Sequence, residues 1–236
     1  ISLMGGHSLF YNVVVRDNQL RALTDPDSSS AQGAGVNAAM SRNDNDSYRF
    51  VSSARFERFA LVDNLGFGDP PIDNHVVGGG AFVNGADALY GDGVMFTNGT
   101  LAGNEADSAG GLYVNGRFAG TFLTVHDNFV AANTVVSAFP GPGVLDGGAV
   151  GASTLSNTIV AGNRFGNLPR DCTGILTSLG RLLVGNDTGC SVAGDTASNL
   201  LTVDPLLGSR PGPPGGLPFH GLAQGRPAVD ALPLNR

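Results

Sequence analysis

A short acidic stretch in the first half of the chain carries side chains able to bind a ligand. Asp69, Asp73 and His75 lie close together beside two prolines, and Asp87 and Asp92 follow shortly after. Carboxylate oxygens and imidazole nitrogens ligate metal ions, and the same groups hydrogen-bond polar ligands such as sugars. These five residues are therefore the candidate ligand loop, and a solvated loop is the competing interpretation of the same composition.

Residues for cleaving a polysaccharide are sparse. A lyase requires a base, commonly Arg or Lys, beside calcium-binding Asp residues, and an inverting hydrolase requires paired carboxylates. The chain has no Lys, and its only glutamates are Glu57 and Glu105. We therefore expect no catalytic residues, no bound metal and no cofactor. A polysaccharide lyase, a hydrolase or a carbohydrate-binding protein is the alternative.

The two cysteines, Cys172 and Cys190, are separated by a short segment rich in Gly and Thr. A disulfide between them would close a short loop and stabilise the fold by roughly 3 kcal/mol. Two unrelated buried thiols are the other interpretation. A disulfide would place the protein in an oxidising compartment, so we expect an extracellular, cell-surface or periplasmic location.

Composition sets the class of fold that must position these residues. The 236 residues include 36 Gly and 13 Pro. Of the good helix formers, Lys is absent and Glu is nearly so. Hydrophobic residues make up 42% of the chain and charged residues 14%, which favours one folded all-β domain. All 13 basic residues are Arg and form no cluster, and the net charge is −7, so we expect no nucleic-acid partner. No apolar run is long enough to cross a membrane as a helix.

A short pattern recurs along the chain: an apolar residue, a spacer, Asp or Gly, then Asn. Its five copies end at Asn18, Asn64, Asn104, Asn128 and Asn163. Asn and Asp tolerate the left-handed backbone of tight turns, and stacked Asn side chains can hydrogen-bond along a stack of strands. We therefore predict that these five residues are structural corners. The acidic residues of the pattern, Asp17, Asp63 and Asp127, are expected to serve the same turns.

A second element precedes the last three copies and consists of Gly-Gly followed by a short apolar strand. It appears at 79–83, 110–114 and 147–150. Short β segments repeating in this way predict a single-stranded parallel β-helix, a solenoid in which every turn stacks on the one before. A β-sandwich would not need the repetition, and a propeller would carry longer strands and aromatic signatures.

The C-terminal third adds an ordered series of motifs. They are Asn157-Thr158-Ile159-Val160-Ala161-Gly162-Asn163, Asp171-Cys172-Thr173-Gly174, Ser178-Leu179-Gly180, Val203-Asp204-Pro205-Leu206-Leu207-Gly208 and Pro227-Ala228-Val229-Asp230-Ala231. This series resembles the end of choice-of-anchor Q domain proteins, and the repeats resemble polymorphic outer-membrane β-helix proteins. The resemblance implies a secreted right-handed parallel β-helix with a surface role.

The expected organisation is one domain over residues 1–236. Its coils span 7–204, with loop insertions at 24–49, 65–78 and 137–146, and a Pro-rich C-terminal cap or wrap follows at 205–236. We expect a structural or adhesive protein that presents these loops to a protein or to a surface polysaccharide. The sequence carries no indication of the oligomeric state.

Overall fold

The computed structural model describes residues 1–4, 7–22, 30–39, 53–68, 75–84, 93–130, 144–146, 153–209, 217–222 and 227. Within these residues the named elements are 23 β-strands, so the all-β prediction is confirmed. Every described strand pair is parallel except one, in which β18 (Arg164–Phe165) runs antiparallel to β19 (Leu168–Pro169).

The parallel strands stack in three ladders. The first ladder consists of β1 (Ser2–Met4), β5 (Val36–Ala39), β9 (Ala81–Asn84), β12 (Leu112–Asn115), β15 (Val144–Asp146) and the start of β20 (Cys172–Leu179). The second consists of β2 (His7–Arg16), β6 (Ser53–Val62), β10 (Gly93–Ala102), β13 (Phe118–His126), β16 (Ser153–Ser156), β17 (Thr158–Ala161), the rest of β20, β21 (Leu182–Val184), β22 (Cys190–Asp195) and β23 (Leu200–Leu201). The third consists of β3 (Gln19–Ala22), β7 (Leu65–Gly68), β11 (Glu105–Ala106), β14 (Phe129–Val130), β18 and β19. A separate pair joins β4 (Ser30–Gln32) to β8 (His75–Val77).

The chain visits the first, second and third ladders in turn and then returns to the first. We call each such pass a unit: the first unit is β1–β3, the second β5–β7, the third β9–β11 and the fourth β12–β14. Consecutive units pair in register, as in the alignment of Phe10, Phe56 and Phe96 on neighbouring strands. This arrangement of long parallel sheets is compatible with a β-helix or another solenoid.

The core lies between the ladders and is filled by alternate side chains of each strand. In the second ladder Phe56, Phe59 and Phe96 are essentially fully buried, and their rings meet edge to face with centroids 4.8–6.0 Å apart. Burying one such ring contributes about 1.5–3 kcal/mol. The apolar alternation seen in the sequence is therefore what joins successive units into one core.

Two rows of left-handed backbone run along the stack. The first occupies the position before each ladder Asn, where Asp17, Asp63, Gly103, Asp127 and Gly162 have φ between 53° and 73°. This conformation strains most residues and is tolerated by Gly, Asn and Asp, which explains the recurrent Asp or Gly. The second row contains Asn12, Arg58, Asn98, Phe122 and Asn157, with φ between 48° and 54°.

The predicted insertion boundaries need correction because strands lie inside them. The stretch 24–49 encloses β4 and β5, 65–78 encloses β7 and β8, and 137–146 ends in β15. These strands escaped detection because they have only three or four residues, too few to show a clear alternation. The strand that pairs with β12 in the next unit is β15, which precedes the last Gly-Gly copy. Residues 147–150 lie outside the described part of the chain.

The Pro-rich end adds no strand among its described residues. We call residues 205–209 and 217–222 the C-terminal segment. Leu217 packs on Ala60, Val62 and Ala102, three buried residues that point outward from the second ladder. The segment therefore lies along an outer face of the ladder and reaches back to the second unit.

Candidate functional site

The five predicted corner residues form one continuous hydrogen-bonded column, which we call the Asn ladder. In each step the Nδ2 of one Asn donates to the Oδ1 of the next, at 2.7 Å from Asn18 to Asn64 and at 2.9 Å for the three later steps, which end at Asn163. The backbone N–H of each residue donates to the same Oδ1 at 3.0–3.3 Å. The five asparagines therefore stack along the repeat.

The interior members of the Asn ladder use their whole hydrogen-bonding capacity. The Nδ2 of Asn104, for example, also donates to the carbonyl oxygen of Leu61 at 2.9 Å, and Asn64 and Asn128 make the equivalent bonds. Each amide thus donates two hydrogen bonds and accepts two while it is 0% exposed. A fully satisfied buried amide costs little to bury and holds neighbouring units in one register.

The ladder ends on a carboxylate that sequence reasoning missed. Oδ1 of Asp171 accepts from the backbone N–H and the Nδ2 of Asn163 at 2.7 and 2.9 Å, and Oδ2 accepts from the N–H of Asn186 at 2.6 Å. Asp171 is 2% exposed. Burial raises the pKa of this carboxyl above its ordinary value, and the bonds from Asn163 and Asn186 act in the opposite direction.

Glycines of the first ladder lie directly beside the Asn ladder. A Cβ on Gly80 would meet the carbonyl oxygen of Gly111 at 2.5 Å and Nδ2 of Asn104 at 2.9 Å. Gly35 stands in the same relation to Gly80 and Asn64, at 2.5 and 3.0 Å. The Gly-Gly repeat and the Asn repeat are therefore linked, because a glycine without a side chain leaves room for the stacked Asn amides. Gly35 is the member that the Gly-Gly pattern did not reveal.

A second missed carboxylate, Asp107, holds both ends of an insertion. Its Oδ2 accepts from the N–H of Gly68 and of Val76, each at 2.8 Å, and the residue is 8% exposed. Burial and the charge of Asp107 together raise the pKa of the nearby Glu105. Asp107 therefore has a structural role, because it connects the chain just before residues 69–74 to the chain just after them.

The predicted ligand loop lies mostly outside the described residues. Asp69, Asp73, Asp87 and Asp92 belong to that undescribed part, and His75 is placed only by the backbone pairing of β8 with Ser30. Within the described residues, no three His, Cys, Asp or Glu side chains are grouped so as to hold a metal ion. The ligand-loop interpretation stays a prediction.

The outer face of the second ladder contains a histidine pair. The rings of His126 and His220 meet edge to face with centroids 4.6 Å apart, and Nδ1 of His126 lies 2.6 Å from the carbonyl oxygen of Ala161. The side chain of His126 is 18% exposed. The C-terminal segment covers it. A cavity of about 390 Å³ lies here, lined by His126, Asp127, Ser209, His220 and their neighbours.

A smaller apolar cavity lies farther along the same face. It measures about 180 Å³ and is lined mainly by Phe122, Ile159, Leu183, Leu200 and Leu222. Leu222 belongs to the C-terminal segment, whereas the other four come from the second ladder. The segment thus spans the outer face from the second unit to the last strands.

Stacked aromatics mark the outer face of the first ladder. The rings of Phe82 and Tyr113, in consecutive units, are parallel within 1° with centroids 4.9 Å apart. Two residues farther along the same strands, Nδ2 of Asn115 donates to Oδ1 of Asn84 at 3.3 Å. Asn37 aligns with Phe82, and its buried Oδ1 accepts no hydrogen bond within the described structure. Phe82 is 6% exposed and Tyr113 is half-buried, so Tyr113 supplies the accessible ring of this column, beside the amide groups.

The predicted disulfide is present. Cys172 and Cys190 are bonded, with their Cα atoms 5.5 Å apart, and they join neighbouring strands β20 and β22. The bond points to an oxidising environment, as found outside the cytoplasm. Among the described residues no helix has the length and apolar character needed to cross a membrane.

Comparison with known proteins adds no relative. No family model, no curated protein and no solved structure matches this chain. The functional conclusion therefore depends on the geometry described above.

Proposed function

We propose that this chain is a right-handed single-stranded parallel β-helix that acts as a secreted or cell-surface scaffold and presents its insertions to a partner. The observation that carries the proposal is the cyclic order of the ladders combined with the unbroken Asn ladder. A stack held by in-register strands and satisfied amides is rigid along its axis. Right-handed connection of parallel strands is the general rule, which supports the handedness.

The placement of the insertions supports a presenting role. The chain stretches between described strands fall at two recurring points of the repeat. One set follows the third ladder, at 23–29, 69–74 and 131–143, and the other follows the first ladder, at 40–52, 85–92 and 147–152. Because the units stack in register, the attachment points of each set line up in a row. Two rows of insertions along a rigid stack suit contact with an extended partner, such as a surface polysaccharide or a protein.

The positions of three acidic residues also support a structural role for the protein. Asp63 occupies a left-handed corner, Asp107 binds two backbone N–H groups and Asp171 ends the Asn ladder. These described carboxylates are thus explained by folding, and the disulfide fits a secreted protein. The resemblance to surface β-helix proteins agrees with this assignment.

The test is binding of the purified protein to immobilised polygalacturonate, alginate, chitin and peptidoglycan. We expect at least one to be bound, and binding to be lost when residues 41–51 or 132–142 are replaced by short Gly-Ser connections. Leu9→Ser, an exposed change on the second ladder, is the matched control and should bind normally. Absence of binding to every polymer would contradict the polysaccharide-binding form of the proposal.

One observation favours a carbohydrate-binding or polysaccharide-active alternative. The Phe82–Tyr113 stack and the adjacent Asn84–Asn115 pair resemble the mixture of ring faces and amides that sugars contact. If this column is the sugar site, Tyr113→Ala abolishes binding while Tyr11→Ala does not. Release of reducing ends or unsaturated products, abolished by Asp69→Ala or Asp73→Ala, would instead establish an enzyme.

A further inference from the structure

Side chains that point outward from the second ladder become larger and apolar toward its last strands. Thr124, Ile159, Leu183 and Leu200 lie in register on successive strands. The first is short and polar, whereas the other three are aliphatic. These three aliphatic side chains line the cavity of about 180 Å³, which Leu222 of the C-terminal segment also borders. We call this space the apolar cavity.

The size of the apolar cavity suits a single ring. A cavity of about 150 Å³ lined by Leu, Ile and Phe binds benzene in a protein interior, so one of about 180 Å³ holds a ring with a small substituent. Leu183 is 4% exposed, whereas Phe122 and Leu222 are 54% and 42% exposed. The apolar cavity therefore has a buried floor and an accessible rim, which is the shape of a small-molecule site.

Phe122 is held at this rim in a strained conformation. Its φ is 54°, at a corner where Asn12, Asn98 and Asn157 stand in other units. Left-handed backbone is an outlier for a bulky residue, and strain of this kind clusters at functional sites. The strained corner places an aromatic ring in the wall of the apolar cavity. A planar ligand can stack on such a ring or meet its edge.

The next corners of the same row give the apolar cavity a cationic edge. Backbone pairing places Arg181 beside Asn157, and both residues line the cavity. Among the described residues the guanidinium of Arg181 forms no ion pair. The carboxylate of Asp195, which lies next to the chain preceding Arg181, accepts from the N–H of Ala197 at 3.3 Å. A guanidinium without a carboxylate partner, at the edge of an apolar space, fits the anionic group of a ligand.

We propose that the apolar cavity binds a small aromatic carboxylate, the class of molecule that benzoate represents. The ring occupies the space between Leu183, Leu200 and Phe122. The carboxylate accepts hydrogen bonds from the guanidinium of Arg181. A neutral hydrocarbon would leave this cation unused, and an inorganic anion would leave the apolar space unfilled. The inference goes beyond the scaffold role, because the site lies on the outer face of the second ladder and not in the insertions.

The experiment follows the methyl NMR signals of the whole protein during titration with benzoate, benzamide or acetate. We expect saturable benzoate binding with a dissociation constant of roughly 0.1–1 mM, which is reasonable for a ligand of this size. Benzamide lacks the charge and acetate lacks the ring, so each should bind at least about tenfold more weakly. Equal affinity for benzoate and benzamide overturns the proposal, and so does the absence of saturable benzoate binding.

Two variants separate the two parts of the site. Arg181→Gln should weaken benzoate binding about ten- to hundredfold and leave benzamide binding unchanged, because only the charged ligand uses the guanidinium. Phe122→Asn removes the ring and relieves the corner, so it should weaken binding of both aromatic probes about tenfold in a folded protein. Arg58→Gln, at an equivalent corner of the row, is the matched control and should bind benzoate as the parent does. Unchanged benzoate affinity of Arg181→Gln contradicts the proposal.

The same methyl signals locate the ligand. Benzoate should shift the methyl groups of Leu183, Leu200 and Leu222, which line the apolar cavity, and should leave Leu112 in the core between the ladders unchanged. Shifts confined to residues elsewhere overturn the proposal. In the free protein, nuclear Overhauser contacts from Leu200 to a side chain of the residues after Leu222 would show that the chain itself fills the cavity, and would overturn it too.

Discussion

The first unit and the central units have the same sequence pattern and different physical surroundings. Asn104 lies between Asn64 and Asn128 and is 0% exposed, whereas Asn18 is exposed and, within the described part of the chain, bonds to Asn64 alone. Phe56 lies between Phe10 and Phe96, whereas Phe10 has one stacked neighbour. A repeat therefore acquires its stability from the units on both sides of it, and identical residues contribute unequally.

The largest expected effect comes from the aromatic core. Phe56→Ala removes a fully buried ring and should lower the free energy of unfolding by about 3–5 kcal/mol. Phe10→Ala should cost about half as much, since one face of that ring is already open. Urea denaturation followed by circular dichroism measures both values. Equal losses would show that the ring of Phe10 is packed as completely as that of Phe56.

The Asn ladder provides the next test. Asn104→Ala leaves the N–H and Nδ2 of Asn64 without their acceptor and the carbonyl of Leu61 without its side-chain donor. Buried groups left unpaired cost roughly 1–3 kcal/mol each, and relaxation recovers part of this, so we expect a loss of about 2–4 kcal/mol. Asn18→Ala is the matched control and should cost less than about 1 kcal/mol. Comparable losses in the two denaturation curves would contradict the unequal roles of the two amides.

The far end of the ladder offers a test with a pH signature. In Asp171→Asn the amide oxygen can still accept from Asn163, but the amide N–H faces the N–H donor of Asn186. We therefore expect the free energy of unfolding to fall by about 1–2 kcal/mol near pH 4. Because burial raises the pKa of Asp171 above its ordinary value of 3.8, its folded state holds the proton more tightly than its unfolded state. Wild-type stability relative to the variant should then fall as pH rises from the ordinary pKa through the raised one.

Denaturation at a series of pH values checks this sign. Glu105, whose pKa is also raised, titrates in both proteins, and its contribution cancels in the difference. If the difference in free energy of unfolding between wild type and Asp171→Asn instead grew as pH rose, the three donors around Asp171 would lower its pKa by more than burial raises it.

The smallest expected effect is a gain. Phe122 holds a φ of 54° at a corner where Asn12, Asn98 and Asn157 stand in other units, and its side chain is 54% exposed. Asn tolerates this conformation better than Phe, so Phe122→Asn should raise the free energy of unfolding by about 0.5–1 kcal/mol. The reverse change at an equivalent corner, Asn98→Phe, should lower it by a similar amount. Melting temperatures that move the other way would show that packing of Phe122 in the apolar cavity outweighs the backbone strain.

Sequence reasoning identified the features that recur in every unit, such as the left-handed corners and the stacked amides. The five corner asparagines, the acidic corner residues and the paired cysteines were all predicted and are where the pattern places them. It failed for Gly35, Asp107 and Asp171, which lie in irregular connections. Their roles depend on which residue of another unit they meet, and no local pattern encodes that.

By itself, the sequence determined an all-β chain of short repeated strands with left-handed corners and stacked amides. It did so because alternation, corner conformation and amide pairing act within a few residues and recur in every unit. Only the tertiary structure decided that Asp171 ends the Asn ladder, that the C-terminal segment covers His126, and that Asn18 is exposed while Asn64 is buried. These outcomes depend on contacts between residues far apart in the chain, which the order of the units in space creates.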